Sequence, residues 1–255
     1  MTLAISQRSR DNLAQALGVA VNIDSLDTAL EQIVARASAG AGFCFFTLNL
    51  DHLVKLQSDR RFQDAYRNAD FISADGWPIV WLLRQHGRVL QRTTGADLVD
   101  PLCARAAQKA LPAYFIGPGR QQLDDAVKIL KQRHPDLIVA GAESPMLAYD
   151  FSDDTVAQFA ARIRASGAKL CFLSLGAPKQ EALADALRRK CPEVGFLCVG
   201  AALDFISGHT SRAPRLVQKW RMEWLWRMAT DPARLAPRYM QCLSLFVAAV
   251  WRINV

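Results

Sequence analysis

Residues 169–199 have the sequence KLCFLSLGAPKQEALADALRRKCPEVGFLCV, in which two short apolar runs flank a polar stretch. Lys169–Leu175 and Val194–Val199 have the length and composition of buried strands. Pro178–Lys190 has the charge pattern of a surface helix that opens with proline. A strand, a helix and a second strand in this order form a βαβ unit with parallel strands. This segment therefore predicts an α/β fold.

The same alternation extends towards the N terminus. Further strands are predicted at Phe43–Thr47, Phe71–Ser73, Pro112–Ile116 and Leu137–Ala140. Further helices are predicted at Leu26–Ala37, Leu50–Asn68, Arg120–His134 and Asp153–Ser166, with others starting near Pro78 and at Thr94 or Gly95. Strands that alternate with helices of this length are typical of a mostly parallel sheet.

The pattern changes after Gly208, beyond which no strand is predicted. Pro214, Pro232 and Pro237 divide the remaining residues into helical pieces. A chain of 255 residues is long enough for one domain and an appendage. We therefore expect an α/β domain over residues 1–208 and a helical appendage over residues 209–255.

The appendage carries most of the net charge. Residues 212–255 contain eight basic and two acidic residues, or +6 of the formal +7, and four of the six tryptophans. Their longest apolar stretch, Cys242–Trp251, is half of the roughly 20 residues that span a bilayer. We therefore expect an interfacial segment that is attracted to anionic lipid. Packing of the tryptophans against the core or a second subunit is the alternative, and both can hold at once.

Several other classes of protein lack support. The first twenty residues contain no continuous apolar segment of a signal peptide, so we expect a cytoplasmic chain. The six cysteines form no C-x-x-C pair and the four histidines show no ligand spacing, which predicts buried thiols and no metal site. G-x-G-x-x-G and G-K-[ST] motifs are absent, which disfavours dinucleotide and P-loop binding. No nucleic-acid motif accompanies the basic charge.

Polar side chains follow the predicted strands, at the edge where parallel α/β sheets bind ligands. Thr47 and Asn49 follow the first strand and can hydrogen-bond a sugar or nucleotide, although Asn49 or Asp51 can equally cap the next helix. Asp75 follows the second strand at a turn made by Gly76. Its carboxylate can act as a general base, while its spacing favours an N-cap.

Two further groups suit a diphosphate. Arg92 lies just ahead of a helix N-terminus, where its planar guanidinium can bind phosphate or simply be solvated. At Gly176 a strand meets a helix, and free backbone N–H groups there attract phosphate with help from Lys179 or Gln180. Gly117 lies in a similar but weaker loop.

Five motifs in series resemble the WecG/TagA/CpsF family of bacterial glycosyltransferases, from roughly Val19 to Tyr239. They are Asp75-Gly76; Arg92 with Thr94-Gly95-Ala96-Asp97-Leu98; Gly176-Ala177-Pro178-Lys179-Gln180-Glu181; Val199-Gly200 with Asp204 and Gly208; and Arg212-Ala213-Pro214 with Glu223-Trp224-Leu225-Trp226-Arg227. The resemblance covers most of the chain.

The resemblance implies a Rossmann-like core, an α/β fold whose mostly parallel sheet has helices on both faces. It also implies transfer of a hexose from a UDP-sugar to a sugar on a polyprenyl diphosphate in the cytoplasmic leaflet. The product would be an intermediate of a bacterial surface polysaccharide. Transfer is expected to invert the anomeric centre without a metal or other cofactor, and the appendage is expected to close over the site at the membrane.

Family roles transfer to the matching positions of this chain. The family's proposed catalytic base falls on Asp75, and its pocket positions fall on Thr47 and Asn49. Arg92 and Gln180 match groups expected to contact the nucleotide-sugar or its diphosphate. The remaining members of the predicted substrate-binding set are Gly117, Gly176, Lys179, Asp204 and the appendage residues Arg212 and Arg227.

Departures from the family pattern leave the donated sugar open among N-acetylmannosamine, its uronic acid and glucose. They are Leu48, Trp77-Pro78 and the segment Gly200–Asp204. The acceptor sugar, the linkage and self-association through the apolar tail also stay open. A nicotinamide-dependent oxidoreductase shares the fold but needs a glycine fingerprint that this chain lacks. The alternative function is a non-catalytic, membrane-associated scaffold in polysaccharide assembly.

Overall fold

The computed structural model describes residues 19–117, 119–211, 213–214, 216–217, 220, 226 and 232–253. Its centre is a sheet of six strands in the order β2-β1-β6-β5-β3-β4, and every neighbouring pair is parallel. The strands are β1 Phe43–Leu48, β2 Phe71–Ala74, β3 Ala113–Ile116, β4 Val139–Glu143, β5 Leu170–Leu173 and β6 Gly195–Cys198. The prediction of a mostly parallel sheet is confirmed.

The described residues form ten helices around this sheet. They are α1 Leu26–Ser38, α2 Leu50–Leu56, α3 Arg60–Arg67, α4 Trp77–Gln85, α5 Gly95–Gln108, α6 Arg120–Arg133, α7 Asp153–Ala165, α8 Lys179–Lys190, α9 Ala202–Ser207 and α10 Pro232–Ile253. Five of them start at a side-chain N-cap, provided by Ser25, Asn49, Asp59, Thr94 and Ser152. Local capping therefore sets many of the helix starts.

Two hydrophobic clusters cover the two faces of the sheet. Successive strand residues point to opposite faces, so Cys44 and Phe46 belong to one cluster and Phe43 and Phe45 to the other. The first cluster is completed by α2, α3, α4, α7 and α8, and the second by α1, α5, α6 and α9. Helices therefore lie on both faces, which confirms the Rossmann-like α/β fold.

The cysteines are core residues. All six are free and buried, as predicted. Burial raises the pKa of the Cys191 thiol to about 11 and raises the pKa of Cys44, Cys103 and Cys171 well above the usual value. These thiols therefore stay protonated at neutral pH.

Three predicted elements differ from the structure. The single helix predicted over Leu50–Asn68 is two helices, because the Asp59 side chain accepts a hydrogen bond from Phe62 N at 3.0 Å and starts α3. The fourth strand begins at Val139, since Leu137 N is bonded to the His134 carbonyl in a turn. Pro237 is predicted to divide the tail, but α10 runs from Pro232 to Ile253 and continues through position 237.

The C-terminal helix α10 packs against α2 and α4, the helices that follow β1 and β2. The rings of Trp81 in α4 and Phe246 in α10 lie 5.6 Å apart, and Cys242 is buried. Within the described residues, no helix combines the length and apolar character needed to cross a bilayer. The division into residues 1–208 and 209–255 stays a prediction.

Candidate functional site

The carboxyl ends of β1 and β2 lie side by side. Thr47 pairs with Ser73 and Leu48 with Ala74, and Asp75 N donates a hydrogen bond of 2.7 Å to the Leu48 carbonyl. This bond extends the ladder by one residue and places Asp75 beside the start of α2. The structure therefore brings the predicted base and the predicted pocket residues together.

Asp75 lies immediately before α4 and does not take the cap position. Gly76 is the N-cap of α4, with φ 91° and ψ 147°, and the helix has no side-chain cap bond. A positive φ of this size favours glycine. The N-cap that spacing favoured for Asp75 is therefore wrong, and the partly exposed carboxylate lies at the edge of the sheet.

Asn49 has the capping role that the sequence left open. Its Oδ1 accepts a hydrogen bond of 3.0 Å from His52 N and starts α2. A carboxamide that caps through its oxygen still carries an NH₂ group as a donor, so capping is compatible with ligand binding. Thr47, the penultimate residue of β1, is 5% exposed and contributes to the floor of the site.

Arg92 lies on a segment that runs beside the end of β2. Thr93 N donates to the Ala74 carbonyl and the Ser73 hydroxyl donates to the Thr93 carbonyl, both at 2.9 Å. Arg92 Nη2 is 3.4 Å from Asp97 Oδ2, and its side chain is 33% exposed. A partly exposed ion pair of this length contributes little to stability.

The start of α5 lies against the end of β6. Thr94 caps α5 by accepting a hydrogen bond of 3.1 Å from Asp97 N. A Cβ on Gly95, the first residue of α5, would lie 2.5 Å from the Val199 carbonyl oxygen, so only glycine fits there. Gly200 follows with φ 60°. The segments after β2 and β6 therefore meet.

The turn between β5 and α8 lies on the other side of β6. Gly176 is exposed with φ 73°, and a Cβ there would meet no atom within 4 Å. Helix α8 follows Pro178 without a side-chain cap, which leaves its N-terminus suited to an anion. Lys179 Nζ donates to the Leu147 carbonyl, so this ammonium holds the segment after β4.

Gln180 lies beneath this turn, inside the protein. It is 2% exposed, its Oε1 accepts from Gly200 N at 3.2 Å, and its Nε2 donates to Glu181 Oε1 at 2.7 Å. Both ends of the amide are therefore used within the protein. Helical spacing carried a signal for this burial, because Gln180 lies three and seven residues before Leu183 and Leu187 on one face.

Glu181 is a buried carboxyl group that the predicted site set did not include. It is 0% exposed, and its Oε2 has no hydrogen-bond partner among the described residues. Burial is the largest cause that raises its pKa to about 7, opposed by the hydrogen bond from Gln180 and by the charge of Lys55. A buried carboxyl group whose pKa lies near neutral pH is typical of functional sites.

Two further buried polar residues adjoin this region. His52 Nδ1 and the Tyr66 hydroxyl are 2.6 Å apart, and both side chains are buried. Burial raises the pKa of Tyr66 well above its usual value, and the charges of Glu181 and Asp75 add to the shift. Tyr66 thus lies within electrostatic reach of both carboxylates. The sequence offered no signal for this pair, since its members belong to separate helices.

The other predicted residues are more dispersed. Gly117 follows β3, four strand positions from β2, or about 19 Å across the sheet. A Cβ on Gly117 would lie 2.7 Å from the side chain of Leu123, which explains the glycine by packing. Asp204 lies in the first turn of α9, and burial raises its pKa. Arg212 and Arg227 lie outside the described residues.

The arrangement combines a carboxylate, an arginine and an uncapped helix N-terminus along one edge of a parallel sheet. Among the described residues, no group of three or more His, Cys, Asp or Glu side chains is placed to hold a metal ion. The model of the glycosyl transferase WecG/TagA/CpsF family matches residues 14–255, nearly the whole chain. The chain therefore belongs to this family of glycosyltransferases.

Proposed function

We propose that the protein transfers a hexose from a UDP-sugar to a sugar carried on a polyprenyl diphosphate, with inversion at the anomeric carbon. The acceptor hydroxyl attacks the anomeric carbon, the bond to the UDP oxygen breaks, and the hydroxyl proton passes to a base. UDP leaves with the bonding electron pair. The product would extend a lipid-linked intermediate of a bacterial surface polysaccharide.

The observation that carries this proposal is the position of Asp75. Its backbone is bonded to the end of β1, its carboxylate is partly exposed, and the N-cap of α4 is Gly76. Asp75 therefore lies at the sheet edge, beside Asn49 and the Arg92 segment. A carboxylate in such a place can accept the proton of an attacking hydroxyl.

Charge on the departing diphosphate needs positive or dipolar partners. Arg92 supplies a guanidinium beside the end of β2, and the N-terminus of α8 supplies backbone N–H groups behind Gly176. Preorganised donors of this kind stabilise charge that develops in a transition state. We propose that they act without a resident metal.

A lipid-linked acceptor would require the site to work at the cytoplasmic face of a membrane, and the surface of α10 is compatible with peripheral binding there. Met240, Leu243 and Val247 are exposed and recur at helical spacing on one face of α10. A neighbouring side of α10 packs on α2 and α4 through residues such as Phe246. An apolar face turned outwards, on a helix that docks beside the site, suits an interfacial segment.

UDP release tests the proposal. The assay offers a panel of UDP-sugars, with and without a short polyprenyl-diphosphate-linked sugar, in liposomes and with or without a metal chelator. Asp75→Asn is expected to lower turnover at least about a hundredfold because the base is lost, with UDP-sugar affinity within about threefold. Asp70→Asn, at the other end of β2, is the control. Its carboxylate binds Arg36 and Cys44 N and is remote from the site.

The proposal is supported if UDP release requires one particular donor and the lipid-linked acceptor and is lost in Asp75→Asn. That donor then identifies the transferred sugar. Full activity of Asp75→Asn would exclude Asp75 as the base and favour the acceptor's own diphosphate in that role. Loss of activity in the presence of a chelator would contradict the metal-independent mechanism. No release with any donor and acceptor would favour the non-catalytic scaffold.

A further inference from the structure

Gln180, Glu181 and Gly200 form a hydrogen-bonded chain in the interior. Gly200 N donates to Gln180 Oε1 at 3.2 Å, and Gln180 Nε2 donates to Glu181 Oε1 at 2.7 Å. Gln180 is 2% exposed and Glu181 is 0% exposed. The bond between Gln180 and Glu181 is therefore shielded from bulk water, whereas Gly200 at the other end of the chain is partly exposed.

The order of donors and acceptors fixes the orientation of the Gln180 amide. A backbone N–H needs an acceptor, so Gly200 selects the carboxamide oxygen. The amide nitrogen then faces Glu181, which must supply an acceptor, and Oε1 does so. An apolar side chain at position 181 would leave a buried N–H group without a partner, which favours rotation of the amide away from Gly200.

The Gly200 turn is held at both of its polar backbone groups. The Ser174 hydroxyl donates to the Gly200 carbonyl, and Gln180 accepts from its N–H. The turn follows β6, which lies between β1 and β5, and Val199 just before it contacts Gly95. A shift of this turn would therefore be transmitted to the Arg92 segment on one side and to the β5–α8 turn on the other.

We propose that Glu181 is a positioning residue of the transfer site, because it holds Gln180 in the orientation that fixes the Gly200 turn. Gln180 then acts on the substrate through the Gly200 turn and not by direct contact. The inference rests on the proposed transferase function. It assigns a positioning role to Glu181 and replaces the direct substrate contact expected of Gln180 by support of the Gly200 turn.

Several charged or titratable groups face Glu181. They are Asp51 and Lys55 of α2, Tyr66 of α3, Tyr149 after β4 and Cys198 of β6. Burial outweighs their combined effect and raises the pKa of Glu181 to about 7. A carboxyl group keeps an acceptor oxygen whether protonated or ionised. The hydrogen bond from Gln180 to Glu181 therefore persists both below and above neutral pH.

Two substitutions at position 181 separate the effect of the hydrogen-bond acceptor from the effect of side-chain size. Glu181→Leu removes the acceptor, whereas Glu181→Gln keeps one in a side chain of the same shape. Asp185→Asn is the matched control one turn further along α8, where the carboxylate binds Arg189 at 2.6 Å and Asn68 at 3.0 Å. UDP release is measured for each full-length variant. Hydrogen exchange of the Gly200 amide is followed by NMR, with the amides of β6 as internal references.

We expect Glu181→Leu to lower turnover and to accelerate exchange of the Gly200 amide, each by at least about tenfold, because a buried hydrogen-bond partner is lost. Glu181→Gln and Asp185→Asn are expected to stay within about threefold of the wild type, since both leave the chain to Gly200 intact. Unchanged Gly200 exchange in Glu181→Leu would overturn the proposal. So would equal impairment of Glu181→Gln and Glu181→Leu.

If Glu181→Leu does not fold, Gln180→Glu replaces it. That substitution sets two carboxyl groups face to face, and adding Glu181→Gln restores one donor and one acceptor. Recovery of slow Gly200 exchange in the double variant supports the proposal, and no recovery overturns it. If the wild type releases no UDP at all, the transferase function fails, while the exchange data still report whether Glu181 holds the turn.

Discussion

Replacing Glu181 by glutamine should change how the stability of the protein depends on pH. The wild-type carboxyl has a pKa of about 7 in the folded protein, against an ordinary value of 4.5. Between these two values the unfolded chain releases its proton while the folded protein retains it. The free energy of unfolding therefore falls as pH rises, by about 1.4 kcal/mol per pH unit for this group.

The full effect follows from the same two values. Between pH 4.5 and about pH 7, the free energy of unfolding falls by about 3 kcal/mol in total. The stabilising contribution is complete below pH 4.5 and absent above about pH 7. Glutamine has the same shape and does not titrate, so the variant should gain about 3 kcal/mol over the wild type between about pH 4.5 and about pH 8.

Urea unfolding, followed by tryptophan fluorescence at several pH values, measures this difference directly. Asp185→Asn is the control. Its carboxylate has two hydrogen-bond partners, so this variant shows what the same change from carboxyl to amide does where both carboxylate oxygens are bonded. If the difference between Glu181→Gln and the wild type stays constant across this pH range, Glu181 does not titrate as its burial requires. The reasoning on its desolvation would then be refuted.

Two other substitutions test the packing around the site. Gly95→Ala should lower the free energy of unfolding by about 1–3 kcal/mol, because its Cβ would lie 2.5 Å from a backbone oxygen of the turn after β6. Gly119→Ala, whose Cβ would meet only the flexible end of a glutamine side chain, should cost less, and urea unfolding compares the two. Phe246→Ala removes the ring 5.6 Å from Trp81 and should loosen α10. Limited proteolysis would then cut α10 faster, and an unchanged cleavage rate would contradict its docking on α4.

The strands could be predicted because each is a short apolar run between helices, as at Phe43–Leu48. Their order could not, since an apolar run does not identify its neighbours. The break between α2 and α3 also escaped prediction. Asp59 is compatible with a helix surface, and only the fold shows its side chain turned onto Phe62 N as a cap.

At the site, the sequence could predict which residues lie at strand ends, because parallel strands share one carboxyl edge. It could not predict the role of Gln180, whose partner Gly200 lies on a different strand connection, 20 residues away. It also favoured an N-cap at Asp75, because a short polar residue before a helix usually is one. The positive φ of Gly76 moved that cap by one position.

The strand order has a consequence for how the protein is made. Without β6, the sheet falls into two pieces, β2-β1 and β5-β3-β4, each with an unpaired inner edge. A nascent chain whose segment Gly195–Cys198 has not yet emerged from the ribosome therefore cannot join the two pieces of the sheet. It presents two unpaired strand edges to other chains. β6 is the last of the six described strands along the chain, so its addition closes the sheet and places the Asp75 and Gly176 turns along one continuous sheet edge. Closure of the sheet and completion of the site should thus coincide.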